Sequence, residues 1–188
     1  ESNSASGNID ILSGQSDSGT SGTISVSTGN AVGGAAGQLS LTVGSSTTNA
    51  GANMVLSSGS SSATGGAEGG DMLMNAGSGT TSGGDITVEA GSGSNTGGSL
   101  SLLAGDATSG VLGGSIQIES GISGDTSGNV VLKTANGGTE SNSASGSVDI
   151  LSGQSDSGTS GTISVSTGNA IDGAAGQLSL TVGSSTTD

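Results

Sequence analysis

The feature that most constrains this chain is a short motif that recurs along its whole length. The motif is Gly–x–apolar–x–apolar–x–small–Gly, of which Gly22–Gly29 (Gly-Thr-Ile-Ser-Val-Ser-Thr-Gly) is a clear example. Twelve repeats follow one another, and the spacings between their opening glycines, starting at Gly7, are 15, 15, 15, 18, 14, 14, 16, 14, 18, 15 and 15. Self-similarity at such a fixed period is typical of solenoids and other stacked arrays.

A longer repeat contains the shorter one. Residues 1–49 align without a gap on residues 140–188, and nine short repeats fill each long period. The two copies differ only at Asn8/Ser147, Ile9/Val148, Val32/Ile171, Gly33/Asp172 and Asn49/Asp188. We therefore expect Glu1–Asp188 to be one continuous segment cut from a longer repetitive protein.

Each repeat carries two apolar residues two positions apart. The pairs are Ile9/Ile11, Ile24/Val26, Leu39/Leu41, Met54/Leu56, Met72/Met74, Ile86/Val88, Leu100/Leu102, Ile116/Ile118, Val130/Leu132, Val148/Ile150, Ile163/Val165 and Leu178/Leu180. Period-two alternation rich in Ile, Val, Leu and Thr is a strand signal, and clusters of Gly, Ser, Asn and Asp between the pairs are turn signals. The pattern predicts an all-β fold, a parallel β-solenoid with about 15 residues per repeat.

The number of repeats per solenoid turn follows from the long period. Because nine is odd, equivalent strands of the two copies return to the same face with one or three repeats per turn, and one per turn is the favoured prediction. The position six places after each opening glycine should then also face inward, and it is mostly small. These residues are Ser13, Thr28, Val43, Ser58, Ala76, Ala90, Ala104, Ser120 and Thr134.

Composition excludes several classes of function. The chain has no Cys, no His and no aromatic residue, which removes zinc, haem and iron–sulfur centres, thiol nucleophiles and imidazole bases. Lys133 is the only basic residue against fifteen acidic ones, so a net charge of −14 disfavours nucleic acids and anionic membranes. No apolar run is long enough for a transmembrane helix. We expect no enzyme, and we assign no catalytic, cofactor-binding or metal-binding residue.

The carboxylates raise the question of calcium. Asp10, Asp71, Asp85 and Asp149 lie one or three places after an opening glycine, but other repeats carry Ser, Thr, Gln or Asn there. A calcium-binding solenoid needs Asp at a fixed position of a nine-residue repeat, so solvated charges are the favoured interpretation and calcium the weaker one. Ice binding needs persistent Thr-x-Thr ranks, which the outward positions such as Thr23/Ser25 and Gln38/Ser40 do not provide.

A second set of apolar residues alternates with the pairs and should face away from them. These residues are Leu12, Val55, Leu73, Leu103, Val131 and Leu151. They indicate either a minor buried face or lateral packing between like chains, which makes self-association the expected partnership.

On the Gly-x-Ile-x-Val-x-Thr-Gly theme, the chain resembles the Gly/Ser/Thr-rich β-solenoid stalks of large secreted proteins, such as bacterial adhesins and algal cell-surface fibres. The resemblance implies a non-enzymatic extracellular filament or adhesin stalk, located at the cell surface. The alternatives are a binding module for ice, calcium or carbohydrate on a solenoid scaffold, and a disordered extracellular matrix tract.

Overall fold

A computed structural model of the chain describes residues 6–64, 66–108, 112–139 and 143–184. Within these ranges the backbone forms no α-helix and no β-strand. The predicted parallel β-solenoid is therefore wrong, and so are both arrangements of its coil, one repeat or three repeats per turn. Glu1 and Asp188, the predicted limits of the segment, lie outside the described residues. The chain divides into two units, Glu1–Glu89 and Ala90–Asp188.

The physical reason is the lack of a covering layer for the apolar pairs. No residue in the described ranges is buried, whether apolar or polar. The accessible surface is 18596 Å², whereas a compact monomer of 17.1 kDa exposes roughly 7,800 Å². The legs between the pairs supply mainly Ser, Gly, Ala and Thr, which are too small to bury the apolar residues and offset the entropy of ordering the backbone.

The repeats nevertheless keep an extended local backbone. Gln117 Nε2 donates a hydrogen bond to Glu119 Oε2 at 2.8 Å, and the hydroxyls of Ser40 and Thr42 lie 3.4 Å apart. Side chains two positions apart point to the same side in an extended chain and to different sides in a helix. The alternation seen in the sequence is therefore present, but as isolated extended segments without ladder partners among the described residues.

Fractional exposure follows the same alternation. The first apolar residue of each pair is 48–59% exposed in eleven of the twelve repeats, with Ile9 at 90% as the exception. The second residue is 60–86% exposed, from Val88 to Leu180. The six apolar residues that alternate with the pairs are 75–83% exposed. The first residue of the pair is thus the more sheltered one in nearly every repeat, although about half of its surface remains open.

Successive repeats meet at glycine. In five places the N–H of an opening glycine donates a hydrogen bond to the C=O of the glycine that closes the preceding repeat. The bonds are Gly70 to Gly59 (2.8 Å), Gly84 to Gly77 (2.9 Å), Gly98 to Gly91 (2.8 Å), Gly114 to Gly105 (2.9 Å) and Gly128 to Gly121 (3.0 Å). Each bond closes the loop between two repeats, so we call this meeting point a junction.

A side-chain contact accompanies the junction. A Cβ on the opening glycine would lie 3.3–3.8 Å from the side chain at position six of the preceding repeat. The contacts are Gly22–Ser13, Gly37–Thr28, Gly70–Ser58, Gly84–Ala76, Gly98–Ala90, Gly114–Ala104, Gly128–Ser120, Gly146–Thr134, Gly161–Ser152 and Gly176–Thr167. Five of these position-six residues are half-buried, namely Ser13, Ala90, Ala104, Ser120 and Thr134. The small residue and the glycine are therefore matched to each other.

The loops are stabilised locally by serine. Ser16 Oγ accepts a hydrogen bond from the N–H of Gly19 at 3.0 Å, and Ser155 Oγ accepts from Gly158 at the same distance in the second copy. Such serine-to-backbone bonds hold a turn without help from a neighbouring element. The identical geometry follows from the identical sequence of the two loops.

One difference between the copies falls on a left-handed backbone position. Gly33 has a φ of 99°, and its equivalent Asp172 has a φ of 62°. Glycine adopts this region without steric cost, and aspartate enters it more readily than most residues because its short polar side chain bonds locally. The substitution between the copies therefore preserves the turn.

The junction contact makes a direct prediction about Gly98. A Cβ at this position would lie 3.2 Å from the carbonyl oxygen and 3.3 Å from the nitrogen of Gly91. We expect Gly98→Ala to separate the two glycines, and the loss of about 1 kcal/mol of hydrogen bonding speeds amide exchange at residue 98 about fivefold. Hydrogen exchange measured by NMR tests this.

Gly97→Ala is the matched control, because a Cβ on Gly97 would have no neighbour within 4 Å. It should leave the amide at residue 98 as protected as in the parent chain. Equal exchange rates in the two alanine variants would contradict the junction.

The turn at Gly33 makes a second prediction. Gly33→Asp should keep a positive φ, as Asp172 does, whereas Gly33→Val should move to negative φ because a left-handed L-residue costs about 1–2 kcal/mol and a β-branched one is disfavoured further. The coupling constant between the amide and α protons of residue 33 distinguishes the two conformations. A valine variant that retained the positive φ would show that the surroundings, and not the residue, impose the turn.

Candidate functional site

The main candidate for function is the row of apolar pairs, which we call the apolar stripe. It comprises the twenty-four side chains of the twelve pairs given above. In each repeat the residue at position six follows the stripe pair. It lies against the opening glycine of the next repeat at ten of the eleven boundaries between repeats. At the remaining boundary, Val43–Ala52, alanine replaces the opening glycine. This contact therefore links successive repeats at every boundary except that one.

The opposite side of each repeat is mostly polar. Gln117 and Glu119 lie there, as do Ser40 and Thr42. In the second copy of the long repeat, the hydroxyls of the equivalent Ser179 and Thr181 are also 3.4 Å apart. The six outward apolar residues interrupt this polar side at scattered repeats, and none of them is covered. The predicted minor buried face is therefore not formed by the described residues, whereas lateral packing stays a prediction.

The carboxylates do not gather. In the described part of the chain, no three Asp, Glu, His or Cys residues lie close enough together to hold a metal ion. Asp10, Asp71, Asp85 and Asp149 are exposed, each within its own repeat. Lys133 is exposed on the outward side of the repeat that Gly128 opens. These residues thus act as separate solvated charges in the structure.

The described residues also lack an enclosed binding volume. No cavity is found among them. Nor do they contain a helix with the length and hydrophobicity that crossing a bilayer requires. The surfaces that remain for recognition are the apolar stripe and the polar side opposite it.

Charge is distributed unevenly along the stripe. No charged residue occurs between Asp17 and Glu68, a stretch that contains three stripe pairs beginning at Ile24. From Glu68 to Asp125, by contrast, at least one carboxylate lies between every two successive stripe pairs. Apolar contact with another chain therefore meets least electrostatic repulsion at the uncharged stretch.

The five junction bonds share an odd separation between their glycines, a pattern that the sequence also contains. The bonded glycines are seven, nine or eleven positions apart, all odd separations. Among the described residues, closing and opening glycines that are eight positions apart, such as Gly14/Gly22 and Gly153/Gly161, form no backbone hydrogen bond with each other. The closing and opening residues Ala135 and Gly146 are eleven positions apart and also form no backbone hydrogen bond, so an odd separation accompanies the bond without ensuring it.

Comparison with protein-family models, with curated proteins and with solved structures finds no match to this chain. The functional assignment must therefore come from the stripe, the junctions and the charges.

Proposed function

We propose that this chain is a non-enzymatic, extracellular structural segment of a filament or adhesin stalk, and that like chains cover its apolar stripe. The observation that carries the proposal is the stripe itself, whose best-sheltered residues remain about half exposed or more in every repeat. A regular apolar surface of this kind in an acidic chain is typical of an interaction surface.

The available area is sufficient for weak association. Full burial of an aliphatic side chain, at about 25 cal/mol per Å², corresponds to roughly 60–120 Å². With about half or more of each of the twenty-four side chains exposed, the stripe offers on the order of 1,000 Å² of apolar surface. Each of the two units carries twelve of these side chains and so about half of this area, which is below the about 800 Å² per partner of a standard stable interface and corresponds to a weak contact.

Net charge and composition support the structural role. Fifteen carboxylates help to keep this glycine- and serine-rich chain hydrated and oppose uncontrolled aggregation through its apolar stripe. A single lysine gives trypsin one site, and the lack of cysteine and aromatic residues removes common oxidation targets. These properties suit a segment that works outside the cell, in line with the resemblance to secreted stalks.

A second function, a hydrated extracellular matrix tract that never assembles, is favoured by one observation. No described residue is buried, so the chain presents almost all its surface to water. The two proposals differ in self-association. In a filament, like chains bury the apolar stripe, whereas in a matrix tract the stripe stays exposed to water.

Substitution of the stripe tests the proposal. Ile24→Ser, Leu39→Ser, Ile163→Ser and Leu178→Ser together remove four of its best-sheltered residues, and we expect self-association to weaken at least tenfold. Sedimentation velocity over a range of concentrations measures the change.

The matched control replaces the four polar residues that directly precede these stripe residues, Thr23→Ser, Gln38→Ser, Thr162→Ser and Gln177→Ser. It should associate as the parent chain does. An equal loss in both variants would contradict the role of the stripe, and a parent chain that stays at 17.1 kDa at every concentration would support the matrix tract instead.

Salt gives an independent prediction. Because each chain carries a net charge of −14, self-association should strengthen as salt rises from about 0.01 M to about 1 M and the screening length falls from about 30 Å to about 3 Å. Light scattering at fixed protein concentration measures the change. Association that weakened with salt would indicate contacts between charges instead of apolar contact.

A further inference from the structure

One asparagine of the chain differs from the others in the residue that follows it. The sequence contains eleven asparagines, and Asn136 alone precedes a glycine, Gly137. We infer that Asn136 is a site of spontaneous deamidation, with water as the only co-reactant, and that the reaction inserts an isoaspartyl linkage into the loop between Ala135 and Gly146. The reaction takes place within one chain, so it does not depend on the proposed self-association.

The residue after an asparagine controls how fast it deamidates. The reaction begins when the backbone nitrogen of that residue attacks the side-chain amide carbon of the asparagine. A side chain on the following residue crowds this approach, most of all when it is β-branched, whereas glycine leaves the nitrogen open. Because the two groups belong to adjacent residues, the attack has the high effective concentration of an intramolecular reaction. The other asparagines precede Ser, Ile, Ala, Met, Thr or Val, so Asn136 is the residue that should react first.

The structure leaves both reacting groups accessible. Asn136 is exposed to the solvent that supplies the water. Among the described residues, neither the side-chain amide of Asn136 nor the N–H of Gly137 takes part in a hydrogen bond. No bond to a described residue therefore has to break before the two groups meet.

The reaction balances without an oxidant or a cofactor. The Gly137 nitrogen gives up its proton and forms a bond to Cγ of Asn136, the bond from Cγ to Nδ2 breaks, and Nδ2 leaves with the proton as ammonia. Water then opens the resulting succinimide ring at either carbonyl. Opening at Cγ leaves an ordinary aspartate, and opening at the backbone carbonyl leaves the chain joined through Cγ, which is an isoaspartyl linkage. One amide and one water thus become one carboxylic acid and one ammonia.

A second residue can close the same ring. Asp172 precedes Gly173 and would form the succinimide by losing water instead of ammonia. Its carboxylate is negatively charged, so it repels the attacking nitrogen as negative charge develops there, and its departing oxygen must first be protonated. We therefore expect Asn136 to react before Asp172.

The loop at Asn136 packs closely on the chain that follows it. A Cβ on Gly137 would lie 3.0 Å from the carbonyl oxygen of Ser143 and 3.2 Å from the nitrogen of Ser145, and Gly137 is half-buried there. An isoaspartyl linkage lengthens the backbone beside Gly137 by one carbon–carbon bond, about 1.5 Å. It therefore displaces Gly137 from Ser143 and Ser145, and it adds one negative charge to the net charge of −14.

The experiment incubates the full chain at neutral pH in water enriched in a heavy oxygen isotope. Three chains are compared: the parent, Gly137→Val, and Ala31→Gly, which places a glycine after the exposed Asn30. Trypsin then cleaves once, after Lys133, and tandem mass spectrometry of the two fragments locates the incorporated oxygen.

In the parent we expect residue 136 to take up heavy oxygen about ten times faster than Asn129, which precedes the β-branched Val130. Gly137→Val should slow the reaction at residue 136 about tenfold, and Ala31→Gly should speed the reaction at Asn30 by about the same factor. The site is overturned if residues 136 and 129 react equally fast in the parent, or if Gly137→Val keeps the parent's rate. An unchanged rate at Asn30 in Ala31→Gly would overturn the role of the following glycine.

The displacement of Gly137 has its own measurement. After incubation, the NMR amide resonances of Ser143, Ala144 and Ser145 should shift in the parent. They should stay in place in Asn136→Gln, because the longer glutamine side chain does not form the succinimide ring. Unshifted resonances in a parent chain that is fully modified at residue 136 would overturn the displacement.

Discussion

The contact between a small side chain and the glycine that opens the next repeat is the interaction on which the described structure depends. It recurs at ten of the eleven boundaries between repeats, from Ser13–Gly22 to Thr167–Gly176, although the loops at these boundaries differ in length and sequence. Because both partners are small, the backbones approach closely, and at five of these boundaries the N–H of the opening glycine also donates a hydrogen bond. The contact fixes where repeats meet, yet it buries too little area to create a core.

The sequence predicted the local features well and the global architecture badly. Alternation within each repeat is visible in the difference between Val130, 59% exposed, and its outward neighbour Val131, 75% exposed, and position six is the most sheltered part of several repeats. The solenoid prediction was wrong because period-two alternation indicates only which side of an extended segment a side chain faces. It does not report whether another layer covers that side, and legs rich in Ser, Gly, Ala and Thr cannot provide one. The expectation that the chain has no catalytic, cofactor-binding or metal-binding residue did not depend on the solenoid. It stays a prediction.

The odd or even separation between the closing and opening glycines is an intermediate case between local features and global architecture. The separations of closing and opening glycines are plain in the sequence, but their meaning emerges only when the bonded junctions are known. The step from Gly77 to Gly84 is seven positions and carries a hydrogen bond, whereas the step from Gly14 to Gly22 is eight positions and the step from Ala135 to Gly146 is eleven, and neither carries one. A one-residue change of register reverses donor direction in extended backbone, just as it reverses side-chain facing. All five bonded junctions therefore share an odd separation, but the separation alone does not produce the bond.

Apolar exposure and negative charge oppose each other along the chain, and their arrangement has a physical logic. An apolar stripe without charge would aggregate in every register, because each repeat resembles the next. Carboxylates lie between all successive stripe pairs from Met72 to Leu132 and repel a second such stretch, whereas the uncharged stretch from residue 18 to 67 carries no such penalty. Repetition makes many registers of contact equivalent in apolar surface, and the uneven charge makes them unequal in electrostatic repulsion.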